Sequence, residues 1–132
     1  MDSSSRAALS RTTILLLVAD PPVRVVMEET LAREGYTVVI ASDLGEAVDR
    51  LKEVSPDLFI TRTYIRTMSG HDTAKYLRTK NAKMKVLLVG GLMDDERLHY
   101  RDSMQGFEVF PKAYTATEFL SKVAEVLNKP RG

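Results

Sequence analysis

The sequence predicts a three-layer α/β fold, a doubly wound parallel sheet of five strands with helices on both faces. Five short aliphatic or β-branched runs recur along the chain, Ile14–Val18, Thr37–Ala41, Leu58–Thr61, Val86–Val89 and Phe107–Phe110. Each is too short for a buried helix and is apolar without alternation, which is how a strand covered on both faces reads. Helical patterns separate them, and the connections are short, so right-handed crossovers and a parallel sheet are expected.

The elements follow in order. Asp20 is placed to cap a first helix, with Pro21 and Pro22 at its first positions. Val23, Val26, Met27, Thr30 and Leu31 recur at helical spacing, and Gly35 ends that helix. After the second strand, Asp43 caps the next helix, with Glu46 three residues on as a capping-box variant. Its stripe is Leu44, Ala47, Val48, Leu51 and Val54, and Ser55-Pro56 breaks it. The third strand leads through a loop with Ser69-Gly70 to a helix around Asp72 to Lys80, carrying Ala74 and Leu77 inward. A fourth strand ends in Gly90-Gly91. Asp94 to Met104 reads as a helix with a thin apolar face, closed by Gly106 before the fifth strand. The last helix, Thr117 to Leu127, is amphipathic, with Phe119, Leu120, Val123, Val126 and Leu127 on one side. Leu15, Leu17, Val39, Leu58, Ile60, Val86, Leu88 and Phe119 are the expected core.

The chain has 132 residues, enough for one ordinary domain that folds without staples. Residues 1–11, rich in Ser with Arg and Ala, read as a flexible lead-in, 12–129 as the domain and 130–132 as a tail. Nineteen Lys and Arg against eighteen Asp and Glu give a net charge of +1, so no global field argues for nucleic acid or an anionic membrane. With no Cys there is no disulfide, thiolate metal site or Cys nucleophile, which fits a reducing cytosol and a cytoplasmic protein. No apolar run approaches the roughly 20 residues of a membrane span.

In such a sheet, function is expected beyond the carboxyl ends of the strands. Those ends are Val18 to Pro22, Arg62 to Thr67, Gly90 to Met93 and Pro111 to Ala113. No GxGxxG follows the first strand and no P-loop pattern appears, which disfavours dinucleotides and Walker-type phosphate binding. His71 and His99 lack metal-ligand spacing and read as ordinary surface or half-buried histidines. No hydroxyl has a base at a recognisable offset. No catalytic residue, cofactor or metal ligand is assigned.

The ordered landmarks ILLLVADPPVR (14–24), REGYTVVIASDLGEAVDRL (33–51), SPDLFITR (55–62), MSG (68–70), VLLVGG (86–91) and GFEVFPKAY (106–114) resemble the response-regulator receiver domain of two-component signalling. The resemblance runs from about Ile14 to Leu127. It implies a flavodoxin-like sheet in the order 2-1-3-4-5, with two helices on one face and three on the other. It also implies a site in which an acidic pair after the first strand and an acceptor Asp after the third hold Mg²⁺. A hydroxyl after the fourth strand and a Lys after the fifth then bind the phosphoryl oxygens.

Transferred position by position, that site is degraded. The acidic pair falls on Val18 and Ala19, with Asp20 one place later; the acceptor is Arg62; the hydroxyl is Gly90; only Lys112 remains. The Pro after the acceptor is Arg66, the strand aromatic is Val109 with Phe110 beside it, and the Pro after the Lys is Ala113. Arg cannot accept a phosphoryl group, and without clustered carboxylates Mg²⁺ has no ligands. Arg62 has three readings: an ion-pair partner of Asp20, part of an anion pocket with Lys112, or a surface residue. The expectation is a degenerate pseudo-receiver, not an enzyme and independent of phosphorylation. It works through protein contacts of the Asp94–Leu127 face, including Leu98, Tyr100, Met104, Val109 and Phe110, with another signalling protein or a second copy. The alternative is a small-anion or nucleotide sensor built from Arg62, Lys112 and the Gly90-Gly91 turn.

Overall fold

The computed structural model describes residues 12–62, 64–65, 68–89, 107–110 and 115–128. Its elements are β1 (Thr13–Leu17), α1 (Pro21–Arg33), β2 (Thr37–Ala41), α2 (Leu44–Glu53), β3 (Leu58–Arg62), β4 (Tyr64–Ile65), β5 (Met68–Ser69), α3 (Gly70–Arg78), β6 (Lys85–Val89), β7 (Phe107–Phe110) and α4 (Ala116–Asn128). The main sheet has the order β2-β1-β3-β6-β7, and every pairing in it is parallel. This is the expected five-stranded topology.

Both faces of the sheet are covered, which explains why its strands are apolar without alternation. On one face Ile14, Leu16, Val18, Leu58, Ile60, Leu87 and Val89 pack with Met27 and Leu31 of α1 and Phe119, Val123 and Val126 of α4. On the other, Leu15, Leu17, Phe59, Val86 and Leu88 pack with Ala47 of α2 and Ala74 and Leu77 of α3. Of the expected core only Val39 is partly buried: β2 is an edge strand, so one of its flanks has no neighbouring strand. The expected helix at 94–104, the lead-in 1–11 and the tail 130–132 lie outside the described residues.

Four details differ from the expectations. The stretch between β3 and α3, read as a loop, contains a small antiparallel hairpin in which Tyr64 pairs with Ser69 and Ile65 with Met68. Two-residue strands are too short to show a period. Helix α3 starts at Gly70 rather than Asp72, because Ser69 is its cap and accepts from the Asp72 N–H at 3.2 Å. Asp20 occupies the cap position of α1 without a side-chain cap bond. A capping side chain reaches the second or third helical N–H, and Pro22 removes one of these. Helix α4 has a full capping box that sequence reading missed. The Glu118 N–H donates to Thr115 Oγ1 at 3.0 Å and the Thr115 N–H to Glu118 Oε1 at 2.8 Å. The expected box at α2 is present in variant form. Asp43 Oδ1 accepts from Glu46 N–H at 2.9 Å, while Glu46 Oε1 takes the N–H of Ser42 at 2.7 Å.

Gly35 ends α1 as expected, at φ 104°. Its N–H donates to Ala32 O at 3.0 Å and that of Tyr36 to Leu31 O at 3.3 Å, the pair of hydrogen bonds of a Schellman turn. Buried Tyr36 and Leu31 share one core cluster beneath the turn. A side chain at this φ strains the backbone, so Gly35→Ala is expected to cost about 1–2 kcal/mol, measured by urea unfolding.

Burial first, and the Glu34 carboxylate second, hold the Tyr36 phenol above its ordinary pKa of 10.0. The folded chain therefore keeps this proton more tightly than the unfolded chain does. The stabilisation is complete below the unfolded value and is lost as pH climbs through the raised folded value. Thermal melts above about pH 10 should show wild type losing stability more steeply than Tyr36→Phe, and parallel curves would contradict this assignment.

Candidate functional site at the carboxyl end of the sheet

The expected site residues gather where β1 and β3 end. Leu17 of β1 pairs with Thr61 of β3, so Val18 and Arg62 are the next residues on two adjacent strands. Val18 is fully buried, Ala19 is half-buried and Asp20 is exposed. Arg62 is half-buried. Gly90 and Lys112 fall one and two residues beyond β6 and β7 in sequence and lie outside the described residues.

Two further polar residues fix this end of the sheet. The Thr61 hydroxyl, fully buried, donates to Leu17 O at 2.7 Å and ties β3 to β1 directly before Arg62. Arg24 reaches back from the first turns of α1: its Nη1 donates to Val18 O at 3.0 Å and lies 3.3 Å from Ser42 Oγ. It thereby clamps the chain leaving β1 to the residue following β2. In the sequence Arg24 is only the last residue of the ILLLVADPPVR landmark. Its position four residues after Asp20, at the end of the sheet where sites form, was the available sign.

The Asp20–Arg62 bridge is not made. Among the described residues the ion pairs are Lys52–Asp49, His71–Asp72 and Lys122–Glu125, and Arg62 has none. Asp20 is exposed, while Arg62, at the end of β3, is half-buried. His71, expected at or near the surface, is buried in the first turn of α3, 3.9 Å from the Asp72 carboxylate through Nδ1. His99 lies outside the described residues. Asp57 is at the opposite end of the sheet, where Oδ2 accepts from the Thr13 N–H at 2.9 Å, so it is committed to the entry of β1. Leu98, Tyr100 and Met104 of the expected interaction face lie outside the described residues. Val109 and Phe110 are in β7, at one edge of the sheet order.

A sequence model described as the response regulator receiver domain matches residues 14–124. The chain belongs to the receiver domain family. It is the receiver module of a two-component system, a signalling fold. Among curated proteins it is similar to one named Probable C4-dicarboxylate response regulator DctR, of Priestia megaterium, with 34% identity over 86 residues, 64% of this chain and 38% of that protein. It is also similar to the sensor kinase CckA of Brucella abortus, 25% identical over 119 residues, which are 89% of this chain and 13% of the kinase. The alkaline phosphatase synthesis regulator PhoP of Bacillus subtilis is 24% identical over 121 residues, 88% of this chain and 48% of PhoP. The chain thus spans less than half the length of these relatives.

Solved structures agree on the fold. A two-component response regulator of Clostridium difficile superposes with TM-score 0.78 at 18% identity, covering 89% of this receiver and 97% of that chain. The response regulator TrrA of Thermotoga maritima, in complex with Mg²⁺ and BeF, gives TM-score 0.69 at 25% identity, covering 87% and 98%.

The side chains here do not suit that metal. Mg²⁺ demands oxygen ligands in near-octahedral order. Val18 and Ala19 offer no side-chain oxygen, and Arg62 brings a positive charge. Among the described residues no cluster of His, Asp and Glu is arranged to hold a metal ion. No helix among them is long and apolar enough to cross a membrane.

Proposed function

We propose that this receiver signals without phosphorylation, through contacts of its Asp94–Leu127 segment with another signalling protein or a second copy of itself. One observation carries the reading: β3 ends in Arg62, where a receiver needs a nucleophilic carboxylate. A guanidinium cannot attack phosphorus, and Val18 and Ala19 remove the metal ligands that would steady the transferred group. What the fold retains is a well-packed core and a surface. The absence of Cys and the near-neutral charge support a cytosolic protein that makes no nucleic-acid contact through this module.

Binding of the full chain to its partner, captured with and without a phosphoryl donor, tests this. Capture should be the same in both conditions and should fall when Tyr100 and Met104 are replaced by Asp. Donor-dependent capture, or capture indifferent to that double replacement, would overturn it. Arg62→Asp alone should not restore phosphorylation, because two acids are still missing.

A further inference from the structure

Helices α2 and α3 cover the same face of the sheet, through Ala47 on one and Ala74 and Leu77 on the other. They border an open groove of about 520 Å³, lined by Leu44, Gly45, Val48 and Asp49 of α2 and Tyr76 of α3. Tyr76 is 46% exposed, a large ring left in solvent. Gly45 is exposed in the first turn of α2. The fold of one chain does not call for glycine there: among the described residues a Cβ would meet Asp43 Oδ1 at 3.4 Å, an ordinary contact. Glycine is a poor helix former, so it weakens α2 while leaving the outside of the helix flat enough for another chain to approach closely. The groove also carries both signs of charge. Asp49, on the α2 wall, meets Lys52 at 3.5 Å in an exposed pair of little worth that can be exchanged. Lys80, just after α3, holds its Nζ 5.3 Å from the centre of the Tyr76 ring.

We infer that this groove is a two-fold contact between two copies of the chain, with Tyr76 of each copy laid over Gly45 of the partner subunit and Lys80 of each facing Asp49 of the partner subunit. A contact of this symmetry joins one patch to itself, so knob, hollow and both charges must all lie on that patch. Here Tyr76 is the knob, Gly45 between Leu44 and Val48 is the hollow, and Asp49 and Lys80 stand on opposite walls. Tyrosine suits the role, because it brings a large apolar area at low conformational cost. The charges choose the occupant. A uniformly acidic or basic partner would meet like charge on one wall, whereas a second copy turned by the two-fold meets opposite charge on both. A patch centred on so few residues makes a weak, reversible dimer of the low-area class. The contact uses α2 and α3, not the Asp94–Leu127 segment, so it stands or falls apart from the function proposed above.

The test is sedimentation of the full chain over a concentration series reaching about 1 mM, where weak complexes populate, at low salt. Wild type should pass from monomer to dimer. Asp49→Lys and Lys80→Asp should each weaken the dimer by about tenfold or more, because each sets like charges opposite one another at both symmetric contacts. Mixed in equal amounts, the two variants should associate again, since the mixed pair restores opposite charges at both contacts. Gly45→Gln is the independent variant: it fills the hollow without a clash inside the chain and favours the helix, so it should abolish the dimer while the melting temperature holds or rises. A wild type that stays monomeric throughout, or a mixture that associates no better than either variant alone, would overturn the inference. So would a dimer that ignores Gly45→Gln and is lost when Tyr100 and Met104 are replaced by Asp, because that dimer belongs to the other face.

Discussion

Ile60→Ala is expected to destabilise the protein by about 2–5 kcal/mol, the range for removing a large aliphatic side chain from a packed core. Ile60 is in the middle of β3, the central strand, and is fully buried. It faces α1 and α4, in one cluster with Leu16, Leu31, Leu87 and Phe119. Parallel strands on both sides hold the backbone in register with Leu16 and Leu87, so the surroundings cannot collapse into the space left behind. Urea unfolding should show a lower midpoint with an unchanged slope. A change below about 1 kcal/mol would mean that the site relaxes or that this face is not packed as described. Val39→Ala, on a partly buried edge strand, should cost clearly less.

Arg24→Ala should have the next largest effect, about 1.5–3 kcal/mol, the worth of hydrogen bonding by a charged donor. The residue is half-buried, and its Nη1 bonds hold Val18 O at 3.0 Å and Ser42 Oγ at 3.3 Å. Its removal leaves the carbonyl of a fully buried residue without that donor. Ser42→Ala is the control: it gives up only the longer contact and keeps the carbonyl bond, so its cost should be smaller. Equal costs would mean that the hydroxyl, and not the carbonyl, is what Arg24 secures.

The sequence made the architecture legible because burial on both faces leaves a plain mark. Runs such as Ile14 to Val18 show no polar position, and Gly35 and Asp43 punctuate them with specific backbone demands. The hairpin of Tyr64–Ile65 with Met68–Ser69 left no such mark, since two-residue strands have no period. Thr115 with Glu118 was a readable capping box that went unread because the helical stripe begins only at Phe119. At the site, residue identities were legible and their connections were not. Asp20 and Arg62 have opposite charges and lie at the same end of the sheet, which suggested a bridge. Whether a carboxylate turns inward or into solvent depends on the helix start, and Pro21-Pro22 sets α1 going with the Asp20 side chain outside. Arg24 shows the converse case. The sequence reading assigns it no role, yet its helical position points it at a strand end.

The most direct test of the central claim is the intact mass of the full chain after incubation with acetyl phosphate and Mg²⁺, beside a receiver that keeps its acidic triad as the positive control. The expected result is an unchanged mass for this chain while the control gains a phosphoryl group. A base-labile phosphoryl adduct on this chain would contradict the account, because it would require a carboxylate acceptor that Val18, Ala19 and Arg62 do not provide.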